Sequence, residues 1–364
     1  MRLILEKRPE RSQVMSVLSP LIAILLTVIC GTVMFSLLGV SPADALYAFF
    51  IEPLTSTWSI EELLVKAAPL ILIAVGLCVC FLSNNWNIGA EGQFTFGAIT
   101  GSIIPILFYD FTGPLALPLM IIMGMLGGMA WAAIPAFLKV RFGAFETLTS
   151  LMLVYVSQFF LDFLVRGPWR DPEGFNFPES RLYDEAHILW PLGDGRLHFG
   201  AVFAIVAVIV LWFMLTKTLK GFEIKVMGET PRAGRFAGFS GNGVVWFGFL
   251  VSGALAGLAG MSEVSGTVGQ LTPVISPGYG FTAIIVAFLG RLNPFGILFA
   301  GLLLGLSYIG GEGAQVTLGL TDKTTRVFQG MLLFFVLACD TLILYRVRIL
   351  KLKTETVGGS YERA

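Results

Sequence analysis

The sequence predicts an all-α fold, a polytopic membrane bundle of about ten helices, and three observations carry that expectation. Of 364 residues, 55% are hydrophobic and only 13% charged, and the mean hydropathy is +0.81. A soluble chain carries roughly twice that charge fraction, because its surface must be wetted. Ten apolar runs recur at close to the ~20 residues a spanning helix needs. They begin near Val17, Leu63, Ile88, Pro114, Thr147, His198, Val244, Gly278, Pro294 and Val327. Lysine and arginine gather in alternate connections, as the positive-inside rule requires.

Taken in order, the first run follows Arg2, Lys7, Arg8 and Arg11. Ala43-Asp44-Ala45 behind it resembles a signal-peptidase site, but Val17 to Val40 is too long for a signal-peptide core and reads as an anchored helix. Lys139 and Arg141 mark the next basic turn; Lys217, Lys220, Lys225, Arg232 and Arg235 fill another; Arg291 marks a third. Arg346, Arg348, Lys351, Lys353 and Arg363 close the chain. With the N-terminus inside, 17 of the 24 basic residues fall on the cytoplasmic side. The others are Lys66, Arg166, Arg170, Arg181, Arg196, Lys323 and Arg326, four of them in or beside one long external loop. Both termini are therefore expected inside. The division is a cytoplasmic segment 1–16, one membrane domain 17–345 and a cytoplasmic tail 346–364.

Two connections stand out. Residues 167–197 carry Pro168, Pro172, Pro178 and Pro191 with Trp169 and Trp190, which predicts an ordered, helix-poor external lid. Residues 217–243 form a cytoplasmic loop with stronger local signals. GxxxG spacings at Gly97/Gly101, Gly124/Gly128, Gly253/Gly257 and Gly301/Gly305 suit close backbone approach in a compact bundle. Cys30, Cys78, Cys80 and Cys339 all lie in apolar runs and read as small buried hydrophobes. The 24 acidic residues balance the 24 basic ones, so nothing marks the chain for nucleic acid.

Enzyme chemistry is absent from the motifs. No Gly-Lys dipeptide exists, so no GxxxxGK[ST] phosphate loop is present. There is no G-x-S-x-G elbow, and His187 and His198 stand too far apart for a HExxH zinc site. No catalytic residue, metal or cofactor is expected. Energy for uphill transport would come from an ion gradient or from another chain.

The membrane plan breaks at Ser83-Asn84-Asn85-Trp86-Asn87-Ile88-Gly89-Ala90-Glu91-Gly92-Gln93-Phe94-Thr95. Such a polar stretch fits a broken helix lining a pathway, because irregular backbone at depth is tolerated only inside protein or beside water. It also fits a plain cytoplasmic turn, with Glu91 and Gln93 in the first turn of the next helix; such a turn would be the only sizeable one without a basic residue. Asn87, Glu91, Gln93, Phe94 and Thr95 are the candidate pathway residues. Glu263, after the all-small run 253–260, is either a sixth or an outer-surface helix end. Glu146 reads as a helix N-terminal charge and Asp340 as a partner for the basic tail. In Gly228-Glu229-Thr230-Pro231-Arg232-Ala233-Gly234-Arg235-Phe236-Ala237-Gly238, Thr230 is a good N-cap, Pro231 a good first helical residue and Gly238 a natural stop. That predicts a two-turn helix with Arg232 and Arg235 on one face and Phe236 beside them. So short a helix is marginal alone, which favours a docking role over contact with lipid headgroups.

Asn87-Ile88-Gly89-Ala90-Glu91-Gly92-Gln93, Glu146-Thr147-Leu148-Thr149-Ser150-Leu151-Met152-Leu153 and Gly228-Glu229-Thr230-Pro231-Arg232-Ala233 resemble the permease subunits of bacterial ABC importers. The likeness is to the branched-chain amino acid/simple-sugar permease superfamily, its nucleoside and simple-sugar group, from about Ala67 to Thr341. It includes Ala287-Phe288-Leu289-Gly290-Arg291 and Pro294-Phe295-Gly296. The resemblance implies a type II importer-like bundle in the bacterial inner membrane, a coupling helix on a separate ABC ATPase, an extracytoplasmic substrate-binding protein and a second permease subunit, as a heterodimer. Gly228, Glu229, Thr230, Pro231, Arg232, Ala233 and Arg235 would make the ATPase contact. ATP would bind the partner and not this chain. Two departures are visible: Val154 stands where relatives carry asparagine, and Glu229-Thr230 where Glu-Asn is usual. For a hydrogen-bond-rich, uncharged cargo, Asn87, Gln93 and Thr95 would supply polar groups and Phe94 and Phe96 a stacking face. The alternative is an ion-coupled secondary carrier of a small polar solute, built on repeats at 67–153 and 246–333.

Overall fold

The computed structural model describes residues 2–8, 13–193 and 195–350. Arg11 of the N-terminal segment and Lys351, Lys353 and Arg363 of the expected tail lie outside them, as does the side chain of Asp340. The chain divides into two compact units, Ala43–Thr325 and the two terminal segments 1–42 with 326–364.

In chain order the elements are β1 (Arg2–Lys7), α1 (Gln13–Leu37), α2 (Pro42–Phe50), α3 (Thr57–Leu82), α4 (Ala90–Gly101), α5 (Ile103–Leu107), α6 (Ala116–Phe142), α7 (Glu146–Arg166), α8 (Gly200–Lys217), α9 (Leu219–Glu229), α10 (Pro231–Phe236), α11 (Gly241–Glu263), α12 (Tyr279–Leu289), α13 (Pro294–Leu318), α14 (Asp322–Leu344) and β2 (Tyr345–Leu350). The terminal unit pairs β1 with β2 in an antiparallel ribbon, Arg2 opposite Leu350, which the all-helical expectation leaves out. In the same unit Phe35 stacks on Phe328 at 6.0 Å.

A helix stands at each of the ten predicted runs, but they are unequal. Six among the described residues are long and apolar enough to cross a membrane: α3, α6, α7, α8, α11 with its one-turn extension to Val268, and α13. α4 has 12 residues and α12 has 11. At 1.5 Å per residue each reaches about 18 Å or less, short of a ~30 Å hydrocarbon core. α4 stops because Pro105 lacks an N–H and its ring opposes the carbonyl of Gly101; the chain turns at Ser102 and restarts as α5. α12 starts late because Pro273, Pro277 and Gly278 (φ +104°) keep the preceding segment irregular.

The centre of the larger unit is α3, inaccessible along most of Val65–Phe81. α8, α11, α12 and α13 pack around it, and α11 in turn crosses α4 and α6 where their glycine pairs meet. A Cβ on Gly97 would strike the Gly257 backbone, and one on Gly128 would strike the carbonyl of Gly253. This crossing is backbone against backbone, and only glycine permits it. Outward, α7 and α8 expose Met152, Tyr155, Phe159 and Phe163, and Ile205, Ile209, Val210 and Phe213. A soluble monomer rarely exposes an apolar face of that extent, whereas lipid covers it without cost. The four cysteines are free, three of them buried.

Candidate functional site

The polar break forms two layers. Ser83 to Gly89 is a non-helical turn, and Asn84 takes φ +56°, which asparagine tolerates. Asn85 donates to the Ser83 hydroxyl at 2.7 Å and accepts from Lys139 Nζ at 2.7 Å. The same ammonium pairs with Glu146, whose Oε1 also accepts from the Trp86 N–H at 3.3 Å. The basic residue that the local sequence lacks thus arrives from the end of α6. Glu146 opens α7, as expected of a helix N-terminal carboxylate.

Beneath this turn lies the Asn87–Gln93 pair. Asn87 Nδ2 donates to Gln93 Oε1 at 3.1 Å and to Ser252 Oγ at 3.0 Å. Its Oδ1 accepts from Gln93 Nε2 at 3.0 Å and from the Gly89 N–H at 3.1 Å. Two donors and two accepted bonds use the full capacity of the amide, and Asn87 is wholly buried. α7 closes in from the side: a Cβ on Gly89 would meet Ser150 at 2.8 Å, and one on Gly92 would meet the Val154 backbone at 3.0 Å. Val154 is buried at that crossing.

Glu91 turns the other way. Its Oε2 accepts from the N–H of Gly280, and Ser276 lines the same cavity as the carboxylate. Ser276 Oγ in turn accepts from Tyr279 N–H at 2.8 Å, so the start of α12 is capped by a serine and faces a carboxylate. Thr95 Oγ1 donates to the Glu91 carbonyl at 2.9 Å. Glu91 and Thr95 line a cavity of about 320 Å3 with Gln158, Asp162, Val274 and Ser276. Phe94 packs edge-on against Tyr279 at 6.1 Å, while Phe96 stacks on Trp131 at 4.2 Å. Of the pathway residues, then, Glu91 and Thr95 border open space, while Asn87, Gln93 and Phe94 meet protein.

Glu263 sits at the far end of α11, buried, with Lys66, Arg196 and Glu62 as its charged neighbours. Gly200 N–H donates to His198 Nδ1 at 3.1 Å, so Nε2 carries the proton and donates to Thr267 Oγ1 at 3.2 Å. Burial, aided by Arg196, pushes the His198 pKa down to about 4, which keeps this relay neutral. The 167–197 loop is helix-poor as predicted, with one 3-10 turn at Glu185–His187. It pairs along 265–271 through Ser180 to Leu271 (3.0 Å), Tyr183 to Gly269 (2.8 Å) and Leu189 to Ser265 (3.1 Å).

At the other end of α8, α9 and α10 form the predicted punctuated segment. α10 runs from Pro231 to Phe236, and Gly238 follows at φ +85°. Thr230 occupies the N-cap position, but its hydroxyl bonds back to the Val226 carbonyl at 3.4 Å and does not cap α10. Glu229, Thr230, Arg232, Ala233, Arg235 and Phe236 are exposed, Phe236 at 94%. Gly234 is buried against Met227, which holds α10 to α9. Gly228 rests directly on the carbonyl of Leu82, the last residue of α3, where any Cβ would collide. Sequence reasoning identified Gly228 but not this contact. It also missed Ser252, Gln158, Asp162 and Ser276, single polar residues in apolar or loop sequence that carry no motif.

A multi-helix core with lipid-suited outer faces, a polar break at its centre and an exposed basic segment resting on the central helix define a membrane permease. The family model described as the branched-chain amino acid transport system permease component matches residues 59–337. This chain belongs to that family. It is similar to the glucose ABC transporter permease protein TsgB13 of Haloferax volcanii, 34% identical, covering 91% of this chain and 90% of the relative. It is 31% identical to the nucleoside ABC transporter permease protein NupB of Lactococcus lactis, covering 88% and 90%. The guanosine ABC transporter permease protein NupP of Bacillus subtilis is 28% identical, covering 94% and 98%. No solved structure matches the chain. The protein is a multi-pass membrane permease, and that membership sets the ion-coupled carrier aside.

Proposed function

We propose that this chain is the membrane-spanning subunit of an ATP-driven importer and forms the pathway for a nucleoside or simple sugar. The observation that carries the proposal is the contact of Gly228 with the end of α3. It joins the exposed α10 face to the turn 83–89, and through Asn87 and Gln93 to Glu91 and the start of α12. A push on α10 thus has a packed route to the cavity at Glu91.

In this scheme Arg232, Arg235 and Phe236 dock a separate ATPase, with Gly228, Glu229, Thr230, Pro231 and Ala233 shaping the contact. Glu91 and Thr95 meet the solute; Asn87, Gln93 and Phe94 hold the turn that positions them; Glu263 orders the mouth. An extracytoplasmic binding protein delivers the solute. Two Bacillus subtilis relatives, NupP and NupQ, are both named guanosine permease proteins, which supports a second permease as partner. The domain spans about 17–345 of a bacterial inner membrane, with both termini cytoplasmic. Ten crossings result when α4 with α5, and α12, count as broken spans. No cofactor is expected on this chain.

Reversing the docking charge tests this. Arg232→Glu with Arg235→Glu should leave the membrane fold intact, as judged by its thermal unfolding, and abolish co-purification with the ATPase, because like charges at a docking face cost several kcal/mol. Normal transport by the double variant would defeat the assignment.

A further inference from the structure

We propose that the cavity at the loop end of α3 and α13 is a receiving site for a neutral polyhydroxyl solute, met before the cargo reaches Glu91; this rests on the permease reading above. The cavity, about 430 Å3, is framed by the turn at Glu52–Leu54, the first turns of α3, the last turns of α13 and Arg196. Its size suits a small molecule, for which pockets run roughly 300–1,000 Å3. It borders Glu263, whose charged neighbours Lys66, Arg196 and Glu62 are all cavity residues.

The wall chemistry selects the ligand class. Glu62 faces Arg196 at 3.5 Å and Glu312 faces Lys66 at 3.2 Å, while Glu52, the third carboxylate of the wall, forms no ion pair among the described residues. The two fixed pairs favour a ligand that bridges them without displacing either partner, and the Glu52 carboxylate adds an acceptor that a hydroxyl can use. Bonding capacity nevertheless remains. Glu62 is 4% exposed, and its Oε1 receives no hydrogen bond from the protein. An ammonium has three donors and a guanidinium five, more than one carboxylate each can use. A hydroxyl both donates and accepts, so it can bridge such a pair without breaking it. Adjacent hydroxyls can also span both oxygens of one carboxylate. Ser59 and Thr317 add hydroxyls to the wall, and Trp58, 63% exposed, offers a flat apolar face to a ring. A metal is a poor alternative, since no group of three or more His, Cys, Asp or Glu able to hold one occurs among the described residues.

The test uses the full chain in lipid nanodiscs, titrated with D-glucose, guanosine and glucosamine by saturation-transfer NMR, beside uptake by the complete importer. Glucose or guanosine should bind weakly. Trp58→Ala and Glu62→Ala should each weaken that binding about tenfold, and Ser59→Ala about threefold, as the loss of one or two contacts implies. If Glu62→Ala fails to fold, Trp58→Ala, on an exposed side chain, carries the test. Unchanged binding in Trp58→Ala and Ser59→Ala, with normal ATP-driven uptake of the same solute, overturns the receiving site and leaves the importer proposal standing. Tighter binding of glucosamine than of glucose overturns the neutral class. If neither neutral probe is bound or taken up, both proposals fall.

Discussion

The two polar regions of the larger unit differ in kind. The Asn87–Gln93 pair is neutral and buried, and every side-chain donor and acceptor of Asn87 has a protein partner. The cluster of Glu62, Lys66, Arg196, Glu263 and Glu312 is charged and partly satisfied, and it opens on a cavity. A saturated amide such as Asn87 can only hold shape, whereas a charged cluster with spare bonding capacity can hold a ligand. Polar residues in the core of a permease therefore divide by their unused bonds, and composition alone does not separate them.

Breaking the shape-holding region should have the larger effects. Gly228→Leu should be the most severe, because a side chain there must displace the end of α3. Overpacking of this kind costs about 1–3 kcal/mol. ATP-driven uptake should fall to background, while Asn87→Ala and Glu91→Gln retain measurable transport. Asn87→Ala comes next: it strips partners from Gln93, Ser252 and the Gly89 N–H at once, at about 1–3 kcal/mol per buried group left unpaired. Thermal unfolding of the purified chain should drop by several degrees and uptake should slow, with the affinity of the binding protein unchanged. An unaltered unfolding temperature would mean that the pair is not structural.

These effects also show what the sequence revealed. A helix stands at each of the ten apolar runs, because a long apolar stretch specifies a helix; α2, α9 and α10 lie outside them. The runs did not show that α4 and α12 are short. The run from Gly97 to Leu107 looks continuous, and the break at Ser102 follows from Pro105 opposing a carbonyl four residues back. The polar break was visible at Asn87–Thr95, but which of its side chains bond to each other depends on Ser252, 165 positions away from Asn87. The missing basic residue was likewise supplied from a distance, by Lys139 on Asn85. At α10 the Pro231 start and Gly238 stop were correct because they are local backbone preferences. The Thr230 side-chain cap was not, since the preceding helix α9 offers its hydroxyl the Val226 carbonyl.

A smaller effect belongs to the loop. His198 is held neutral, its pKa depressed from 6.5 to about 4. An unfolded loop takes up the proton first, so the stability His198 contributes is intact above about pH 6.5 and is lost as pH falls towards 4. Cysteine labelling at Ser180→Cys, buried in the folded loop, should quicken across that interval relative to a free thiol at the same pH. His198→Gln should remove the His198 part of that pH dependence. A labelling rate that follows the free thiol at every pH in the Ser180→Cys protein would refute the relay from Gly200 to Thr267.

The most direct measurement concerns Glu91, the carboxylate at the inner cavity. The complete importer, carrying this chain or its Glu91→Gln variant, is reconstituted in liposomes and its solute uptake followed with and without ATP from pH 6 to 8. For a neutral cargo driven by a separate ATPase, uptake needs ATP in both proteins. The variant keeps a hydrogen-bond acceptor towards Gly280 and should lose only part of its rate, about three- to tenfold, with an unshifted pH profile. Uptake that persists without ATP, abolished in Glu91→Gln and shifted in pH, would contradict the importer and make Glu91 the proton carrier of a gradient-driven transporter.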